Sequence, residues 1–180
     1  MLDLSDLQLT KTVDINGKQV KIPKLSLYHH SLIKDIKDPH DVVRIVINSI
    51  HKGLTKAEQD LAYIHLLHFN DKLNGSFTHN GLEYTIDDIK ITQKLKFHIN
   101  DYEFRFKTPT IEDSNTPIEQ ILDKALVWVK YKNEKIAPIP FEKMPAFVAE
   151  WAVDIISTIS IQKNGEIVKG LHDIVELFSD

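Results

Sequence analysis

Nine histidines give this 180-residue sequence its widest chemical reach, since imidazole can act as a general base and as a metal ligand near neutral pH. His65 and His68 stand three residues apart in a helix-compatible stretch and can share one face. A zinc site needs three or four converging donors, and neither an HExxH arrangement nor any cysteine accompanies the pair. His29 and His30 are adjacent, so their rings diverge on any regular element. The carboxylates offer no better start. Asp87 and Asp88 also diverge, Glu112-Asp113 falls in a polar loop, and a glycosidase pair would have to be assembled from distant positions. The six glycines are scattered, without GxGxxG, GxxxxGK[ST] or GxSxG. The lack of cysteine removes disulfides, thiolate zinc sites, iron–sulfur clusters and cysteine nucleophiles together. No catalytic, cofactor-binding or metal-ligating residue is assigned, and the chain reads as a protein that is not an enzyme and needs no cofactor.

Charge is arranged more tellingly between Lys94 and Lys107. Leu95, Phe97 and Ile99 alternate with Lys94, Lys96 and His98, while Tyr102, Phe104 and Phe106 alternate with Glu103, Arg105 and Lys107. A two-residue turn at Asn100-Asp101 pairs Ile99 with Tyr102, Phe97 with Phe104 and Leu95 with Phe106, which puts every apolar side chain on one face. The other face carries Lys94, Lys96, Arg105 and Lys107, with Glu103 as its one acid. Lys96 then faces Arg105 and Lys94 faces Lys107, and like charges directly opposed are mildly destabilising. Two readings account for that arrangement. One is a solvated face that discourages edge-to-edge aggregation. The other is a docking face for an acidic partner, with these four residues as the candidate partner-binding set. The three aromatics alternate as core residues rather than as a base-stacking platform.

The surrounding elements read as α+β. Thr12–Ile15 and Gln19–Ile22 alternate around Asn16-Gly17, a hairpin stopped by Pro23. A short helix spans Ser26–Ile36. Asp38 and Pro39 then supply the N-cap and first residue of a better helix, striped by Val43, Val46, Ile47 and Ile50 and ended by His51 and Gly53. Thr55 and Glu58 form a capping box for a helix reaching Phe69 that is apolar on more than one face and should be the most buried. Asn74-Gly75 and Asn80-Gly81 are turns, and Glu83–Ile86 is a short strand. Beyond Thr108-Pro109, Pro117 starts a helix carrying Ile118, Ile121, Leu122, Ala125, Leu126 and Val129, and Pro138 and Pro140 break the chain. Val148, Trp151, Ala152, Ile155 and Ile159 mark a further helix. Asn164-Gly165 separates it from a last one with Ile167, Leu171, Ile174, Val175 and Phe178. The predicted architecture is one domain over residues 1–180: an N-terminal hairpin at 12–23, helices at 26–69, a β insertion at 70–107 and C-terminal helices at 117–178. Helices flank the central antiparallel hairpin, and Phe97, Phe104, Leu67, Leu126, Trp151 and Ile155 are expected in one core.

Composition bounds the function. An apolar content of 42% and a net charge of −4 exclude disorder of the whole chain. The negative sign argues against a nucleic-acid partner. The first residues, Met1 to Leu7, lack the basic start and apolar run of a signal peptide, so the protein is expected to stay in the cytosol where it is made. Glu150 and Asp154 interrupt the most apolar stretch, Met144–Ile161, so no membrane span is expected.

The order of three segments, "VDINGKQVKIPKLSLYHHSLI", "LTKAEQDLAYIHLLHFND" and "YEFRFKTPT", resembles the small baseplate hub proteins of T-even-type contractile-tailed phages, which include the distal hub subunit and its related hub-assembly protein. The resemblance covers roughly residues 12 to 178. It implies a structural or assembly role at the tail tip of the virion, with the host cytoplasm as the place of assembly. Other baseplate hub proteins and the tape-measure protein are the implied partners, with an oligomer inside the assembly and no substrate. Related hub-assembly proteins can carry paired cysteines in the β insertion, suggesting a zinc ribbon. Residues 70–107 have none, so the resemblance implies the cysteine-free distal type or a member without the metal. The alternatives are a tail or tape-measure assembly chaperone that leaves before the virion is complete, and a metal-dependent hydrolase using histidines and carboxylates.

Overall fold

The computed structural model describes residues 9–35, 39–109 and 117–179. In chain order the elements are β1 (Thr10–Ile15), β2 (Lys18–Pro23), α1 (Leu27–Ile33), α2 (Pro39–Ile50), α3 (Lys56–Phe69), β3 (Ser76–His79), β4 (Leu82–Thr85), β5 (Ile89–Ile91), β6 (Lys96–Ile99), β7 (Tyr102–Phe106), α4 (Ile118–Ala125), β8 (Leu126–Tyr131), β9 (Glu134–Ile136), α5 (Ala149–Ile156), β10 (Ile159–Lys163), β11 (Glu166–Lys169) and α6 (Leu171–Ser179). The protein is a mixture of helices and small antiparallel sheets. It divides into two compact units, one of residues 1–91 and 159–180, the other of residues 92–158, each with its own core.

The first unit is punctuated by Asn-Gly turns. Asn16-Gly17 joins β1 to β2, Asn80-Gly81 joins β3 to β4, and Asn164-Gly165 joins β10 to β11, with positive φ at both residues of every turn. Two successive positive φ values define the type I′ turn, whose twist suits a two-residue hairpin and which Asn and Gly tolerate best. β5 adds to the free side of β10 and makes a three-stranded sheet. α3 is the centre of the unit. The Thr55 hydroxyl accepts from the Glu58 N–H while the Glu58 carboxylate accepts from the Thr55 N–H, so two orphan donors at its start are satisfied. Ala62, Ile64 and Leu66 are buried on it, among Ile15, Val20, Ile22, Ile47, Ile159, Ile161 and Phe178.

The second unit is built on a four-stranded sheet in the order β6-β7-β8-β9. Its inner face carries Phe97, Phe104 and Val129 in one row across three strands. α4 and α5 supply Ile121, Leu122, Trp151, Ala152 and Ile155 to the same core. Trp151 stacks on Phe97 with ring centres 4.6 Å apart and meets Phe104 edge-on at 5.2 Å. Such aromatic pairs add to the stabilisation from area burial alone.

Several expectations need correction. The helix from Pro117 ends at Ala125, and Leu126 and Val129 lie on strand β8. Ile159 is likewise on β10, not at the end of a helix, and Ile167 is an exposed residue of β11. Residues 117–178 therefore hold four strands as well as helices among the described residues. The six residues expected in one core divide between two. Phe97, Phe104, Trp151 and Ile155 are buried in the second unit with Leu126 packed against them, whereas Leu67 packs against the core of the first. The N-cap reading of Asp38 and the loop carboxylates Glu112 and Asp113 lie outside the described residues.

Candidate interaction face

The outer face of the four-stranded sheet is built by strand alternation. Phe97, Phe104 and Val129 point inward, so their neighbours Lys96, His98, Glu103, Arg105, Trp128 and Lys130 are left on the other side. The hairpin register is the one its pattern predicts: Ile99 faces Tyr102, Phe97 faces Phe104 and Lys96 faces Arg105. Phe104 and Phe106 are buried and Tyr102 is half-buried, in keeping with their reading as core.

The structure brings together two of the four candidate cations. Lys96 and Arg105 are cross-strand neighbours, and both are exposed. The repulsion between them is offset diagonally, because Lys96 Nζ lies 2.5 Å from Glu103 Oε1. That lysine holds the Glu103 carboxyl below its ordinary range against partial desolvation, with Lys130 and His98 adding to the effect. The hairpin register runs on past Lys96 and Arg105, where the Phe106 N–H donates to the Leu95 carbonyl at 2.8 Å, and Lys94 follows at the end of the ladder. The Lys94 N–H donates to the Asp154 carbonyl at 3.1 Å, and its ammonium lies 3.6 Å from the Asp154 carboxylate on α5. Lys107 is exposed just past β7, where its N–H donates to the Ala125 carbonyl at 2.8 Å.

Three members of the face escape a reading of 126–129 as helix. Trp128 is the cross-strand neighbour of Arg105, Lys130 that of Glu103, and Lys135 on β9 faces Lys130. Lys130 Nζ sits 4.6 Å from the centre of the Trp128 ring, a cation–π contact. The signal that finds the first two is the alternation of Val127, Val129 and Tyr131 with Trp128 and Lys130. The face thus has a half-buried tryptophan flanked by Arg105 and Lys130, with Lys96 and Lys135 further out. Trp and Arg are the residue types that most often dominate binding energy at protein interfaces.

The histidines are dispersed. His65 is buried in α3 with its Nδ1 lacking a hydrogen-bond partner, and desolvation lowers its pKa. His68 Nδ1 donates to the Leu73 carbonyl at 3.3 Å. His29 is a buried residue of α1, with its Nδ1 3.0 Å from the Ser26 hydroxyl. Asp88 accepts from the Thr85 N–H at 2.8 Å and from Lys163 at 2.9 Å, while Asp87 is exposed. Among the described residues no three His, Asp or Glu side chains converge on a space for a metal ion, and no helix is long and apolar enough to cross a membrane.

Comparison with known proteins gives two matches. The profile of the family described as baseplate hub distal subunit matches residues 22–178. The sequence is 36% identical over 173 residues to the baseplate hub assembly protein gp28 of Enterobacteria phage T4, an alignment that covers 96% of each chain. No solved structure matches.

Proposed function

The chain belongs to the baseplate hub distal subunit family, and from that premise we propose that it is a structural component of a phage tail baseplate hub that works through protein contacts at the tail tip. The observation that carries this reading is a family match running through both compact units, so the likeness is to a whole hub protein and not to one shared module. We assign it no catalytic step. Its partners are other hub proteins and the tape-measure protein, and it enters the virion from the host cytoplasm, where tails are built. The T4 relative is called an assembly protein, which favours a second reading, an assembly factor that leaves before the tail is complete. Mass spectrometry of purified tails separates the two, since only a structural component is found there.

In this reading the outer face of the sheet docks against an acidic surface of a neighbouring hub protein. Lys94, Lys96, Arg105 and Lys107 supply the charge, joined by Lys130 and Lys135 around Trp128. A chain with net charge −4 that gathers cations on one sheet face has separated its charge in the way electrostatic steering requires. The test is a double charge reversal, Lys96→Glu with Arg105→Glu. Both positions are exposed, so the change in stability should stay within about 0.5 kcal/mol per site. Association with the neighbouring hub protein should slow by about tenfold or more at low salt and lose most of its salt dependence. Unchanged incorporation into tails at every salt concentration would return this face to a solvated, aggregation-resistant surface.

A further inference from the structure

The first unit contains two strand edges that open onto one groove. β1 pairs with β2 alone and β5 with β10 alone among the described residues. A groove of about 600 Å³ lies between them, walled by Thr12 and Asp14 on one side and Ile89 and Ile91 on the other, over a floor of Leu61 and His65 from α3.

Hydrogen-bond parity shows which backbone groups face that groove. The Lys24 N–H donates to the Leu9 carbonyl at 2.9 Å, so Leu9 and, two by two, Lys11, Val13 and Ile15 turn their N–H and C=O groups toward β2. Thr10, Thr12 and Asp14 therefore turn theirs outward. On the other wall the Thr92 N–H donates to the Thr158 carbonyl at 3.1 Å, so Lys90 bonds β10 while Ile89 and Ile91 point away from it. The Ile89 N–H is taken by the Ile86 carbonyl. The Ile91 N–H and the outward groups of Thr12 and Asp14 have no backbone partner among the described residues. The floor is also incompletely satisfied, because His65 is only 7% exposed and its Nδ1 has no partner.

We propose that this groove takes an extended strand of a partner protein, which pairs with β1 on one side and β5 on the other and so joins two sheets of the unit into one. Two rows of outward backbone donors and acceptors are complemented by another backbone and by little else, which is the chemistry of strand addition. A strand in such a slot stands about 4.8 Å from each neighbour. The outward groups from Thr10 to Asp14 suit a segment of about five residues whose alternate side chains are apolar and face Leu61. Lys11, Lys90, Asp14 and Asp87 balance in charge around the groove, so it selects for extended backbone and not for a charged segment. That the partner is a tail protein rests on the baseplate reading above; the strand chemistry does not.

The test is an array of overlapping peptides of about ten residues, long enough for one strand with flanks, covering the proteins of the phage that encodes this chain and probed with the full-length protein. The expected hits are alternating, extended segments of tail-tip proteins. Thr12→Pro should weaken them by about tenfold or more, since it deletes an outward N–H and leaves the β1–β2 ladder unbroken. Amide hydrogen exchange on the wild-type chain makes the same test without a variant: Thr12, Asp14 and Ile91 should slow when a bound peptide saturates the protein. The proposal is overturned if no peptide binds, if bound peptides leave those three amides unchanged, or if only peptides from this chain's own sequence bind. Protection given solely by peptides from proteins outside the tail upholds the groove and counts against the baseplate reading.

Discussion

At the scale of single residues, Glu58 ties two elements of the first unit together. It is 3% exposed, and burial by itself would raise its carboxyl pKa. Hydrogen bonds from Lys18 at 2.7 Å, the Thr55 N–H at 2.8 Å and Asn16 at 3.4 Å outweigh that burial and hold the carboxyl at about 2, below an ordinary 4.5. A carboxyl lowered on folding contributes stability that is fully present above its unfolded pKa and is lost as pH falls through its folded one. The contribution from Glu58 should therefore disappear between about pH 4.5 and about pH 2. Urea unfolding measured across that window should show Glu58→Gln to be the less stable protein at neutral pH and to have the shallower acid dependence. Equal slopes for the two proteins would mean that other carboxyls drive acid unfolding. The capping box was plain in the sequence because Thr55 and Glu58 are three residues apart. The partners from the N-terminal hairpin, Lys18 and Asn16, were not, since contacts over 40 and 42 residues leave no local pattern.

At the scale of elements, the main hairpin and its packing allow a second test. Phe104 is fully buried between the sheet and α5 and touches Trp151. Phe104→Ala should cost about 3–5 kcal/mol, the usual range for a buried aromatic, measured by denaturant unfolding of the free protein. A near-neutral result accompanied by lost assembly would make the aromatic face an interface instead. The hairpin was legible because its alternation and its turn agree on one register. β8 was not, because Leu126 and Val129 extend the helical stripe of Ile121, Leu122 and Ala125, while Val129 also belongs to the alternating run from Val127 to Tyr131. The structure resolves that ambiguity by pairing β8 with β7, a long-range partner that no local window contains. The hidden half of the candidate face, Trp128, Lys130 and Lys135, follows from that one reading. Asn164-Gly165 carries the same turn signal as Asn16-Gly17, but its flanking residues also fit helical stripes, which put the end of one helix and the start of another where β10 and β11 form a hairpin.

At the scale of the whole molecule, the second unit is an insertion into the first. Its chain leaves β5 after Ile91 and returns to β10 at Ile159, and those two residues face each other in an antiparallel pair. Domain insertion is tolerated best where the two ends lie this close. The Thr92 N–H to Thr158 carbonyl bond marks a hydrogen-bonded pair, the register a type I′ turn closes upon. Replacing residues 93–157 by Asn-Gly should therefore turn β5 and β10 into an ordinary hairpin and leave the first unit folded, with its Ile64, Ile159 and Phe178 core showing native-like amide protection. A molten product would mean that the first unit depends on the insertion for more than continuity. The same junction has a mechanical meaning. A pull directed away from it on residues 92–158 draws β5 and β10 in the same direction at adjacent residues, so the bonds between these two strands bear little of the tension. The force passes to the ladder between β10 and β11, which it loads lengthwise. A ladder loaded that way has to break several bonds at once, whereas one peeled from its end gives them up singly.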